Sequence, residues 1–186
     1  TEYLSEMDSR FGDGDHGITI GKIAALIQEK VSQWEEAQDI KSFLDDLGMA
    51  IMEVRGGSAG PLYGTLIGGL GVDLNDGENT LEAEGVKRMF TGCLSEMEDI
   101  TTAKVGDKTM MDAPIPAVEA AQKTEGSVKD ILEAAARAAE NGAKDSEKYV
   151  SKFGRARSYK KQTIGTPDAG AVSTSIFIRG LSDGMK

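Results

Sequence analysis

Apolar residues recur along this chain at intervals of three and four, and nowhere do apolar and polar residues alternate convincingly. That spacing lines one face of an α-helix and leaves no half-buried strand, so it confines the chain to an all-helical fold. Ile20, Ile23, Ile27, Val31 and Trp34 mark one amphipathic helix. Ile40, Phe43, Leu47, Ile51 and Val54 mark a second, halted by Gly56 and Gly57. Leu81, Val86, Phe90, Leu94 and Met97 mark another, with Cys93 on its apolar side. A helix over 111–123 can bear Pro114 and Pro116 because both fall near its start. Ser127 and Asp130 form a capping-box pattern opening a helix with Val128, Ile131, Leu132, Ala135 and Ala139 inward. The last helix follows a turn at 164–171 and is expected to bury Ile176, Phe177 and Leu181. Few aromatics (5%) and abundant Ala, Met and Gly suit closely packed helices. The expectation is about seven or eight antiparallel helices in one domain spanning 1–186, without repeat or linker. Thr1 lies only seven residues before Asp8, so a further N-terminal helix is expected ahead of the given sequence.

A net charge of −10 argues against a nucleic-acid partner, since phosphate backbones require a basic face. A protein this acidic can hold an anion only with metal ions or local basic residues. The single cysteine excludes an intramolecular disulfide and fits a reducing compartment. No run approaches the roughly 18 apolar residues of a membrane span. With no signal peptide in view, a cytoplasmic location is expected.

Chemistry concentrates at Asp8, Asp13 and Asp15, three carboxylates within eight positions, interleaved with Gly12, Gly14 and Gly17. Carboxylates this dense repel unless a cation sits between them, and Mg²⁺ takes oxygen ligands. An acidic turn with Asp15 capping a helix fits the same residues, whereas the spacing is not that of an EF-hand. A second feature is the glycine-rich loop Gly56–Gly60, followed by Pro61 in the first turn of a helix. Such a loop either presents backbone N–H groups to phosphate or acts as a flexible turn. It lacks the Lys-Ser/Thr ending of a P-loop, and Asp107-Lys108-Thr109 lacks the upstream glycines. A basic segment, Lys152 to Lys161, interrupts the acidic background and reads by itself as a solvated loop.

Taken together and in order, Asp8-x4-Asp13-x-Asp15-His16-Gly17, Gly56–Thr65, Gly106–Asp112, Gly154-Arg155-Ala156 and Asp168–Ala171 closely resemble a known family. It is the nucleotide-binding L subunit of bacterial dihydroxyacetone kinase (DhaL-type), and the resemblance runs from Tyr3 to the last helix. The resemblance implies an up-and-down barrel of eight helices with ADP (or ATP) and two Mg²⁺ ions at one end. It implies that Asp8, Asp13 and Asp15 hold the ions. It further implies nucleotide contacts from His16, Gly17, Ile18, Thr19, Ser58, Ala59, Thr101, Met110, Arg155, Asp168, Ala169 and Gly170. No residue is singled out as catalytic beyond this metal-assisted site. Two positions depart from the family: Thr166-Pro167 replaces its usual His-x before Asp168, and Arg157 intervenes before Ser158-Tyr159.

In the family a partner K subunit holds dihydroxyacetone on a histidine. The one histidine here, His16, lies inside the metal motif, so the resemblance implies a kinase subunit active only with partners. The leading expectation is a phosphotransferase-system-dependent enzyme in which bound ADP receives phosphate from a phosphohistidine M-type carrier. A separate chain of this length fits that arrangement better than the fused kinases. An ATP-dependent kinase for dihydroxyacetone or a related ketose is the alternative, as is a non-catalytic nucleotide-sensing module. A homodimer is compatible with each.

Overall fold

The computed structural model describes residues 1–35 and 38–185. These form eight α-helices joined by loops and three 3₁₀ segments, and no strand occurs among the described residues. The helices are α1 (Glu2–Asp8), α2 (His16–Ser32), α3 (Ile40–Met52), α4 (Ala59–Val72), α5 (Ala83–Ile100), α6 (Pro114–Lys123), α7 (Val128–Asp145) and α8 (Ala169–Asp183). No helix among the described residues is long and apolar enough to cross a membrane. The chain packs as two compact units, Thr1–Gly17 with Thr102–Lys186, and Ile18–Thr101.

In the Ile18–Thr101 unit, α4 packs against both α3 and α5. Its glycines make this close packing feasible. A Cβ on Gly68's neighbour across the interface, Gly48, would lie 2.7 Å from the Gly68 Cα; one on Gly69 would lie 3.0 Å from the Cys93 Cα. Leu47, Ile51, Leu66, Ile67, Leu70, Val86, Phe90, Cys93 and Met97 form the buried core of this unit. Burial raises the Cys93 thiol to about 12, so the group is an inert hydrophobe at neutral pH. The first two helices differ from expectation at their ends. Val31 is exposed, and Trp34 lies beyond α2, where its ring meets Phe43 edge-on at 4.7 Å. Val54 and Leu81 likewise lie outside α3 and α5. Apolar residues just beyond a helix fold back on it and extend its apparent period.

In the other unit α7 packs against α6 and α8, and α1 against α8. The expected capping box opens α7: Asp130 N–H donates to Ser127 Oγ at 3.2 Å, and Ser127 N–H to Asp130 Oδ2 at 2.9 Å. Ile131, Leu132, Ala135, Ala136 and Ala139 are all buried. The helix expected over 111–123 begins instead at Pro114, after a 3₁₀ turn at Met110–Asp112. Proline at the first helical position needs no N–H donor there.

The last helix corrects the core assignment. Ile176 is 56% exposed, and Phe177 and Leu181 are only half-buried. Ala171, Thr174, Ser175, Ile178 and Ser182 face inward instead. Thr174 and Ser175 donate their hydroxyls to the carbonyls of Gly170 and Val172, at 2.8 Å each, so a stripe of small polar residues can be buried satisfied. The basic segment is not an irregular loop: Arg155–Thr163 forms 3₁₀ turns around a kink at Lys160, φ 50°. Its cations remain exposed.

Candidate metal and nucleotide site

Asp8 ends α1, and Asp13 and Asp15 follow in the turn that leads into α2. The turn folds back on Asp8: Gly12 N–H donates to the Asp8 carbonyl at 2.7 Å, and Gly14 N–H to Asp8 Oδ2 at 2.8 Å. Gly14 has φ +77°, the left-handed region that glycine enters without strain, and a Cβ on Gly12 would overlap the Asp8 carboxylate. Each of the three aspartates thereby offers a carboxylate oxygen lying within 4.8 Å of the others. The backbone closes around the group through the two bonds to Asp8.

Electrostatics divide the carboxylates of the cluster. The Arg155 guanidinium donates to Asp13 Oδ2 and holds that carboxyl below the ordinary range. Desolvation, then hydrogen bonding and repulsion from Asp13 and Asp8, push Asp15 up. Arg155 thus supplies positive charge that three adjacent carboxylates require. An all-oxygen donor set with a guanidinium beside it fits Mg²⁺ together with the phosphates that Mg²⁺ accompanies. The Phe11 and Tyr159 rings, 5.2 Å apart and edge-on, fasten the basic segment to the aspartate turn.

A second group of candidates meets at the start of α8. Asp168 caps that helix, accepting from Ala171 N–H at 2.8 Å. Burial raises its carboxyl to about 6. His16, the first residue of α2, pairs its Nε2 with Ser173 Oγ at 2.9 Å and hydrogen-bonds the Ala169 backbone. Desolvation lowers its pKa, keeping the imidazole neutral at pH 7. Gly170 approaches Met110 so closely that a Cβ there would lie 3.0 Å from the Met110 Cβ. His16, Met110 and Asp168–Gly170 are therefore contiguous, with Gly17 buried beside α1.

The remaining candidates lie in the Ile18–Thr101 unit. Ile18 is exposed and Thr19 fully buried against Gly56. Ser58 precedes α4 with an exposed side chain that makes no cap hydrogen bond, and Ala59 opens the helix. Pro61 falls in the first turn, as its position in the sequence requires. Thr101 ends α5 in extended conformation.

Lys108 and Asp112 lie in the Gly106–Asp112 motif but were assigned no role from it, and the fold buries them to 5% and 0% exposure. Asp112 accepts from Gly106 N–H at 2.7 Å and Thr109 N–H at 2.8 Å. The sequence signal was their place in that motif, which says nothing of their burial. The replaced position Thr166 accepts from Arg10 Nη1 at 3.3 Å and gives its carbonyl to Lys108. Arg157 is exposed and makes no ion pair among the described residues.

A family model described as the DAK2 domain matches residues 10–183. The chain is 30% identical to the ADP-binding subunit DhaL of PEP-dependent dihydroxyacetone kinase from Escherichia coli K12, covering 98% of this chain and 87% of that one. It is 31% identical to L-erythrulose kinase of Pectobacterium atrosepticum over 96% of its own length, but spans only 31% of that protein. Among solved structures, the dihydroxyacetone kinase of C. freundii in complex with AMP-PNP and Mg²⁺ superposes with a TM-score of 0.70 at 26% identity. That likeness covers 98% of this chain and 30% of the kinase.

Proposed function

The chain belongs to the DAK2 domain family, and from that premise we propose that it is the ADP-binding phosphoryl-transfer subunit of a dihydroxyacetone kinase. The observation that carries this reading is the closure of Asp8, Asp13 and Asp15 around a common point, with Arg155 on one of them. In it, residues 1–186 act as one DhaL-type domain.

Asp8, Asp13 and Asp15 would hold two Mg²⁺ ions, which when bound would supply positive charge against the phosphates. Phosphoryl transfer depends on positioning and charge neutralisation, so no side chain here must act as nucleophile. Arg155, released from Asp13, reaches the nucleotide phosphates as a charged donor. Met110, Ala169 and Gly170 form an apolar and backbone wall suited to the nucleoside, held rigid by the Asp168 cap. The motif match alone assigns Ile18, Thr19, Ser58, Ala59 and Thr101 to the nucleotide.

His16 cannot carry a sugar, because its imidazole is engaged by Ser173 and Ala169 within the fold. The resemblance to the family implies that a partner of the K type holds the ketose and that, in the leading reading, a phosphohistidine carrier of the M type supplies the phosphate. The comparable identity to L-erythrulose kinase supports a second reading, an ATP-dependent kinase for a related ketose.

The test is phosphorylation of dihydroxyacetone by the purified chain with Mg²⁺, alone and with a K-type subunit. The chain alone should bind ADP and form no product. Activity should appear with the K-type subunit, and the effective donor, phosphohistidine carrier or free ATP, distinguishes the two readings. Robust dihydroxyacetone phosphate formation by the chain alone with ATP would overturn the subunit assignment.

A further inference from the structure

A lysine ammonium is rarely buried without a carboxylate bonded directly to it. Lys108 is 5% exposed, yet its Nζ donates to two backbone carbonyls, Ser146 at 2.6 Å and Thr166. Its backbone is held at φ +58°, the left-handed region unfavourable for a residue with a Cβ. Strain and desolvation at one residue imply that the two carbonyl contacts are strongly fixed by their surroundings.

Those contacts converge on one place. Ser146 Oγ accepts the Asp168 N–H at 2.8 Å and donates to the Ala143 carbonyl at 2.6 Å, tying the end of α7 to the cap of α8. Thr166 stands two residues before that cap. Two residues along the chain on the other side, Met110 packs against Gly170. Lys108 thus joins Met110, by the chain, to the Thr166–Gly170 turn, by its ammonium. Asp112, Asp168 and Glu147 surround the ammonium electrostatically without appearing as its direct acceptors.

We propose that Lys108 is a positioning residue for the nucleotide: by clamping the Ser146 and Thr166 carbonyls it holds the Asp168–Gly170 turn against Met110. The inference rests on the nucleotide reading above and adds a residue that touches no ligand. Because the clamp holds a wall of the site in place, its loss acts on ligand release more than on encounter.

The experiment follows ADP release and capture in Mg²⁺ by stopped flow, with thermal melting of every variant in parallel. Lys108→Met keeps the stem's volume and removes the clamp. It should raise the dissociation rate about tenfold or more, through two charged hydrogen bonds, with the association rate within about twofold. Ser146→Ala leaves the carbonyl that Lys108 holds but removes the hydroxyl that accepts the Asp168 amide and donates to the Ala143 carbonyl, and should raise dissociation about threefold to tenfold. Lys152→Ala breaks the Lys152–Asp107 ion pair (2.5 Å) on the outer side of the same loop, and should lower the melting temperature without changing release. Should Lys108→Met fail to fold, Lys108→Asn decides against Lys152→Ala, since asparagine tolerates the positive φ but is too short to reach either carbonyl. Wild-type release from a folded Lys108 variant, or faster release from Lys152→Ala to the same degree, overturns the clamp. No ADP binding by the unsubstituted chain would instead overturn the nucleotide reading, and the clamp with it.

Discussion

Asp15 is destabilised in its ionised form by its partial desolvation and by Asp13 and Asp8, whereas Asp13 is relieved by Arg155. The two residues should therefore respond differently to neutralisation. Asp15→Asn removes the strained charge and should leave metal-free stability unchanged or higher, while Asp13→Asn strands Arg155 and gains nothing. Both should weaken Mg²⁺-dependent ADP binding by more than about 100-fold, since the loss of even an outer-shell partner can cost that much. Calorimetry showing ADP affinity retained in both variants would remove the metal assignment. Asp168 sets a second expectation, with a sign fixed by burial. Its folded pKa of about 6 lies above the unfolded value near 3.8, so the folded state keeps a proton that the unfolded state releases. Stability from this group is greatest below about pH 4 and falls as pH rises to about 6, by at most about 3 kcal/mol. Asp168→Asn keeps a cap acceptor for Ala171 and should flatten the difference between urea midpoints at pH 4.5 and 7. An unchanged difference would show that another group governs it. The aspartate cluster was legible in the sequence because its carboxylates are neighbours in the chain. Lys108 was not, since its partners lie 38 and 58 positions away and are backbone carbonyls that no residue type announces.

At the scale of helices, the same substitution should have opposite signs at two glycines. Gly142 lies inside α7, and a Cβ there would overlap the Asp112 carbonyl oxygen and reach within 2.9 Å of Pro116 Cγ. Backbone cannot swing aside as a side chain can, so Gly142→Ala should destabilise by about 1–3 kcal/mol despite its better helix propensity. Gly180 lies inside α8 with nothing within 4 Å of the position a Cβ would take. Gly180→Ala should stabilise by up to about 1 kcal/mol, the propensity difference alone. Chemical denaturation of the two variants checks the pair, and equal signs would contradict the packing described. Helices α3, α5 and α7 were readable because branched and aromatic residues mark their buried faces. In α8 the same rule misplaced the core. Apart from Ile178 its inward face is Ala, Ser and Thr, of which Thr174 and Ser175 satisfy their hydroxyls on their own helix, while Ile176 is left outside. Hydrophobicity identifies a buried face only when burial is bought with apolar area. The 3₁₀ turns at 155–163 were hidden for a related reason: five cations between residues 149 and 167 resemble a solvated loop, and their order comes from contacts such as Tyr159 on Phe11.

For the whole molecule, the uneven spread of charge decides how an anion can be held at a net charge of −10. Residues 149–167 contain five cations and no carboxylate, so they form a positive segment on a negative background. Two mechanisms could let that segment help bind a nucleotide. It could lower the general negative potential, or it could place one guanidinium on the phosphates. Arg155 and Arg157 separate them, because removing either changes the net charge equally while only Arg155 reaches the aspartate cluster. A field effect acts on both alike and fades as added salt shortens the screening length to about 8 Å at physiological ionic strength. A contact effect is confined to one residue and resists screening. Arg155→Ala should therefore weaken Mg·ADP binding by about 1.5–3 kcal/mol, the range of a hydrogen bond to a charged group, and keep most of that loss in raised salt. Arg157→Ala should cost well under 1 kcal/mol, consistent with an exposed charge. Titration calorimetry of both variants at two salt concentrations gives the comparison. Equal, salt-sensitive losses would assign the segment to the field and return Arg155 to the role of a surface cation.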